Sequence, residues 1–322
     1  MGITDQILQN AAHWFELADS KLDAEDCPLW KRPLRASLFI SEYGIERTYD
    51  KSIKEYEYIL IGNLLNAARA WYYSRYGEEQ CRAERDTIEG AVLFRKIPTG
   101  LTIPLVRKTA ADDGHVWLQF LTKFSDGETT SEFLHARLPV ESLSPKARSA
   151  FESSIKTTVS LTRFICTSLR MVNLADDKRR EMCHSIVDRL NIGAGLVQQS
   201  NSRTRAMAIW EFFFAIELSL KTYIFQKGEI PEQTHSLTEL EKTARILGLV
   251  APLAHLSGLP ASHQAIQHRY AQRGATVAEV MRVYKSTLSV TSEIVAELKL
   301  HINGENPSLL LKKNPGWIFP PM

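Results

Sequence analysis

The sequence predicts an α+β protein, with a small mixed region of helices and antiparallel strands followed by an all-helical bundle. Three observations carry this reading. Apolar residues recur every three to four positions over 53–76 and then almost continuously from 145 to 300. Between Gly90 and Phe124 the period drops to two, in the β-rich runs AVLFRKI, LTIPLVRK and VWLQFLTKF. Turn-forming residues separate these runs, at Pro98-Thr99-Gly100 and Asp112-Asp113-Gly114, with another turn at Asp126-Gly127; Asp-Gly tolerates the positive backbone angles of a hairpin. The chain accordingly divides into a mixed domain over 1–144, a helical connector over 145–200, a helical domain over 201–300 and an irregular tail over 301–322.

Taken in order, ITDQILQNAAHWFELADSKL places Ile7, Ala11, Trp14 and Ala18 along one helical face. ASLFISEYGIE, after the proline-containing CPLWKRPLR, reads as a short strand. The next helix carries Tyr56, Leu60, Leu64, Ala68, Trp71 and Tyr72 and stops at Gly77. Ser144-Pro145 supplies an N-cap and a proline at the first helical position, and Phe151, Ile155, Val159, Ile165 and Leu169 follow. A second helix of this region starts near Glu181 and stacks Met182, Ile186 and Leu190. A third covers 202–227 and ends at Gly228; a fourth spans 237–247, and a less regular stretch lies around 262–273. The last, 277–300, opens with a capping box formed by Thr276 and Glu279. Proline and glycine in HINGENPSLLLKKNPGWIFPPM argue against helix there.

Composition narrows the function classes. A chain of 322 residues has room for two ordinary cores, and 44% hydrophobic with 24% charged residues places it among globular proteins. The net charge is +2, with 19 Lys+Arg against 22 Asp+Glu up to residue 150 and 20 against 15 beyond it, which permits a polyanionic partner in the second part. Cys27, Cys81, Cys166 and Cys183 form no CxxC pair and no zinc-like cluster with histidine, so neither a disulfide framework nor a metal or other cofactor is expected. MGITDQILQNAAHWF lacks the features of a signal peptide. The most apolar stretch, 212–225, contains Glu217 and Lys221, so a cytoplasmic protein without a membrane span is expected. Phosphate-loop, dinucleotide, HExxH and GxSxG motifs are missing; Gly193-Ala194-Gly195 falls in a helical context.

The apolar run AIELSLKTYIFQ holds Glu217 and, four residues on, Lys221, and leads to the phrase THSLTEL. Ser236 and Glu239 have capping-box spacing, with His235 before the cap and Leu240 as its staple partner, and Glu217 with Lys221 makes an ordinary helix pair. The order of elements carries more. A long helix with Ala215, Glu217 and Lys221 precedes a loop from Gly228 to Pro231, then a Thr-His-x-Leu helix start at Thr234–Leu237, then HRYAQRG over 268–274 and a long final helix. Over about 100 residues this resembles the HEPN family of helical nucleotide-binding domains; the first 145 residues have no part in it.

The resemblance implies two functions. Minimal members bind RNA or nucleotides, or partner nucleotidyltransferases, and on this pattern Glu217, Lys221, His235, Arg269 and Tyr270 gather near one end of the bundle as ligand-binding residues. Other members are metal-independent ribonucleases of defence or toxin–antitoxin systems, acting as dimers through an arginine followed four to six residues later by histidine. The spacing occurs here at Arg179 and His184 in KRREMCH, where histidine can act as acid or base and arginine can hold the phosphate. Arg269 and Arg273 have no following histidine in range. RNA or a nucleotide is therefore the expected partner, with an antitoxin or nucleotidyltransferase as possible protein partner and a homodimer as possible assembly. The third expectation is an adaptor whose bundle dimerises or binds a partner protein. Trp117, Phe120, Lys123 and Phe124 in the sheet region, a mixture also found on RNA-binding sheets, read as core packing, while Lys178-Arg179-Arg180 with Arg203 and Arg205 can contact phosphates or serve as solvated helix ends.

Overall fold

The computed structural model describes residues 3–25, 27, 29, 32–41, 54–77, 87–110, 115–172, 177–270, 272–301 and 306–312. Their fold is α+β, as the two apolar periods predict. The chain forms two compact units, one of Met1–Arg85, Thr109–Trp117 and Leu310–Met322, the other of Asp86–Lys108 and Leu118–Leu309.

In the first unit, α1 (Ile3–Ala24), α2 (Arg32–Phe39) and α3 (Lys54–Tyr76) enclose Phe15, Ala18, Leu22, Ala36, Ile40, Leu64, Ala68 and Tyr72. Arg32 donates to Asp19 at 2.9 Å and to Asp23 at 2.7 Å, and the Tyr76 hydroxyl donates to the second oxygen of Asp19, so a buried carboxylate is fully engaged. Helix α3 ends at Gly77, whose φ of 86° is a left-handed angle that glycine adopts without strain. The strand expected at 36–46 is corrected: residues 32–39 are helical. Ala36 and Ile40 lie one turn apart and face the core, Leu34 and Leu38 face water, and Pro33 sits in the first turn, where a missing N–H costs nothing. A short apolar run has no period that separates strand from helix. Residues 42–46 lie outside the described residues, as do the side chains of Ile7, Ala11, Tyr56 and Leu60 and the Asp112-Asp113-Gly114 turn.

The second unit opens with a hairpin of β1 (Thr87–Phe94) and β2 (Ile97–Pro104). Its turn is Arg95-Lys96, with φ of 49° and 69°, and not Pro98-Thr99-Gly100, which lies within β2. Register decides this: Ile88 pairs with Ile103 and Gly90 with Leu101, which directs all four inward, and a later turn would rotate them out. Gly100 marks a close approach instead, because a Cβ there would overlap the side chains of His135 and Gln198. Strands β3 (Val106–Ala110), β4 (His115–Phe120) and β5 (Ser308–Lys312) make a sheet in the order β3-β4-β5. The tail expected to be irregular thus supplies a strand; its prolines and glycines exclude helix, but SLLLK between them is free to extend. Asp126-Gly127 forms the expected turn, Gly127 with φ of 89°.

Six helices follow: α4 (Pro145–Arg170), α5 (Asp177–Val197), α6 (Ser202–Gln226), α7 (Leu237–Ile246), α8 (Ser262–Arg269) and α9 (Val277–Ala296). Side chains of Ser144, Asn201, Ser236 and Thr276 accept backbone N–H groups at four of the starts. Helix α6 is buried along most of its length and is the central one, packed by α5, α7, α8 and α9. Gly193 permits the approach of α5, since a Cβ at that position would overlap the Phe212 ring. The hairpin packs on α4 and α5 and shares their core, so the compact units do not divide at residue 144. Arg163, fully buried on α4, holds Glu128 through two bonds of 2.6 and 2.9 Å and the carbonyls of Pro104 and Lys123. No helix among the described residues is long and apolar enough to cross a membrane.

Candidate functional site

Glu217 lies in the middle of α6 with no solvent exposure. A lone carboxylate at such a depth is prohibitively costly, and the sequence provides two partners. Lys221, one turn on, donates from Nζ to Oε1 at 2.7 Å, and His235 places Nδ1 at 2.9 Å from Oε2. With the carboxylate as acceptor, Nδ1 is the donor and Nε2 is turned away from Glu217. Lys221 keeps 17% of its side chain in water and His235 47%, so the cluster is closed at its acid and open at its bases.

The loop before α7 is built to aim the histidine. Ser236 caps α7 by accepting the Glu239 N–H at 3.3 Å, as its spacing predicts. The reciprocal half differs: Thr234 Oγ1 accepts the Ser236 N–H and donates to Glu239 Oε2. His235 is turned toward Glu217 and Trp210. Its carbonyl accepts from Ser262 Oγ at 2.9 Å, tying the loop to the first residue of α8.

Trp210, two turns before Glu217 on α6, completes the arrangement. His235 meets its ring edge-on at 5.8 Å, and the Arg269 guanidinium lies 5.1 Å from the ring centroid and 5.5 Å from that of Tyr270. Trp210 also stacks on Phe214 at 11°, and Arg189 lies 5.2 Å from the Phe214 centroid, paired with Glu211 at 2.9 Å. Arg269 makes no hydrogen bond or ion pair among the described residues, so its donors are oriented by stacking yet unused. Tyr270 is 62% exposed. The structure therefore brings Glu217, Lys221 and His235 into one bonded cluster and sets Arg269 and Tyr270 beside it through Trp210. The arginine does not enter the Glu217–Lys221 pair. Trp210 and Arg189 were invisible as site residues in the sequence, although the i, i+4 spacing of Trp210 and Phe214 signals a continuous aromatic surface.

Arg179 and His184 both lie on α5. His184 is exposed, and the side chain of Arg179 lies outside the described residues. Five residues of helix separate the two positions by about 140° around its axis. On the sheet side, Phe124 packs against Phe133 at 5.5 Å, with Lys156 over its ring. Comparison of the chain with family models, with curated proteins and with solved structures finds no match.

Proposed function

We propose that this chain is a HEPN-like protein that binds RNA or a nucleotide, without cleaving it, at the exposed Arg269 and Tyr270 beside the buried Trp210. The observation that carries the reading is the Arg269 guanidinium, without an ion pair among the described residues and held over Trp210 beside the exposed Tyr270 ring. A guanidinium with free donors suits a phosphate oxygen, and an exposed aromatic face suits a base. Lys221 and His235 add polar contacts at the rim while Glu217 holds them in place. The defence or toxin–antitoxin setting, and a nucleotidyltransferase or antitoxin as protein partner, belong to this proposal through the resemblance alone. The test is anisotropy of a labelled single-stranded RNA. Tyr270→Ala is expected to weaken binding by about 5- to 100-fold, the range for loss of one stacked base. Arg269→Ala is expected to weaken it and to flatten the salt dependence by about one phosphate contact. Wild-type binding that neither substitution changes refutes the site.

One feature favours a second reading, metal-independent cleavage. Glu217 holds His235 through Nδ1, which leaves Nε2 to take a proton from a ribose 2′-hydroxyl when the ring is neutral, and Arg269 stands nearby to hold the phosphate. Cleavage lost in His235→Ala but kept in His184→Ala would replace binding alone by this reading. The opposite pattern would point to Arg179 and His184.

A further inference from the structure

We propose that the cleft between the 3-10 turn Leu256–Gly258, α8 and the start of α9 binds a small, oxygen-rich monocarboxylate. The cleft has a volume of about 170 Å³, and its polar lining is Ser257, Gln264, Arg273, Glu279 and Arg282. Arg282 makes no hydrogen bond or ion pair among the described residues, and neither does the half-buried side-chain amide of Gln264. Arg273 is partly committed, to Glu279 Oε1 at 3.4 Å. His268, 1% exposed, places Nδ1 3.3 Å from the Arg273 carbonyl and so fixes that segment from below. The unused groups are chiefly donors, and a guanidinium fork beside a carboxamide is matched by a carboxylate with neighbouring oxygens.

Charge selects among anions. Two arginines against Glu279 leave one net positive charge, which a monoanion neutralises, whereas a dianion meets the Glu279 carboxylate as well. Size sets the limit: a cleft of about 170 Å³ admits a small molecule and no polymer. The site is separate from the RNA surface, because Gln264 and Arg269 lie about 140° apart around the axis of α8.

The test is a ligand-observed NMR titration of the full chain with D-glycerate, and with glycerol 3-phosphate as the dianion. Wild type is expected to bind glycerate saturably and more tightly than glycerol 3-phosphate. Arg282→Ala, at an exposed position, is expected to weaken glycerate at least tenfold with unchanged circular dichroism, and Arg203→Ala to leave it unaltered. Glu279→Gln is expected to move the preference toward glycerol 3-phosphate. Absence of saturable glycerate binding overturns the proposal. Equal binding by Arg282→Ala overturns the site, and tighter wild-type binding of glycerol 3-phosphate overturns the ligand class.

Discussion

Replacing Glu217 by glutamine keeps the shape of the side chain and removes its charge. Breaking a fully buried ion pair costs about 3–5 kcal/mol, much of it from the stranded partner. Here the partners are not stranded: Lys221 and His235 keep 17% and 47% of their side chains in water and can rehydrate. The loss is then nearer that of one hydrogen bond to a charged group, about 2 kcal/mol, because glutamine can accept from one partner but turns its amide hydrogens on the other. For a unit of roughly two hundred residues this corresponds to a fall of about 4–8 °C in Tm. Urea unfolding followed by tryptophan fluorescence and by circular dichroism gives the free energy directly. Lys221→Ala leaves the acid with His235 alone and is expected to cost at least as much. The double substitution Glu217→Leu with Lys221→Leu is expected to recover most of the loss, since apolar residues of similar volume replace buried ion pairs at little cost. A Glu217→Gln protein within about 0.5 kcal/mol of wild type, a difference ordinary for surface substitutions, refutes the account of a stabilising buried carboxylate.

Glu128 gives a pH dependence. Burial alone raises its pKa, but hydrogen bonds from Arg163 and the Ser125 N–H, with the charges of Arg163 and Arg107, hold it below the usual carboxylate value. A depressed folded pKa contributes stability above the unfolded value of about 4.3 that is lost as pH falls through the folded one, so the stability gap between wild type and Glu128→Gln should be full at pH 6 and shrink below about pH 4 in acid-titrated urea melts. Gly193→Ala is expected to cost about 1–3 kcal/mol by forcing a Cβ into the Phe212 ring, and Phe212→Leu in the same chain should return part of it. Gly100→Ala meets the movable ends of Gln198 and His135, so calorimetry should show a smaller loss, about 1 kcal/mol, together with separation of His135 from Glu89, now 3.1 Å apart, in a crystal structure of the variant.

Local rules were legible wherever one segment decided them. The caps at Ser144, Ser236 and Thr276 and the stops at Gly77 and Gly228 follow from the chemistry of helix ends, which requires no distant partner. The errors share the opposite origin. Gly100 looks like a turn residue until His135 and Gln198, 35 and 98 positions away, are known to fill the space above it. ASLFI reads equally as strand or helix until the core against α3 selects the face of Ala36 and Ile40. The strand in the tail depends on β4, nearly two hundred residues earlier.

The candidate site divides the same way. Glu217 with Lys221 was legible because both partners share one helix at a fixed spacing. The bond from His235 was suggested only by order along the chain, and its Thr234 relay depends on a loop geometry that spacing does not encode. Trp210 was hidden because an aromatic residue in an apolar helix has packing as its sufficient explanation; what distinguishes it is the cation above its face, brought by α8 from 59 residues away. Arg269 is exposed, makes no hydrogen bond or ion pair among the described residues, and is held by the Trp210 and Tyr270 rings. The buried carboxylate accounts for the fold at this point, and the stacked guanidinium is the part on which the proposed binding rests.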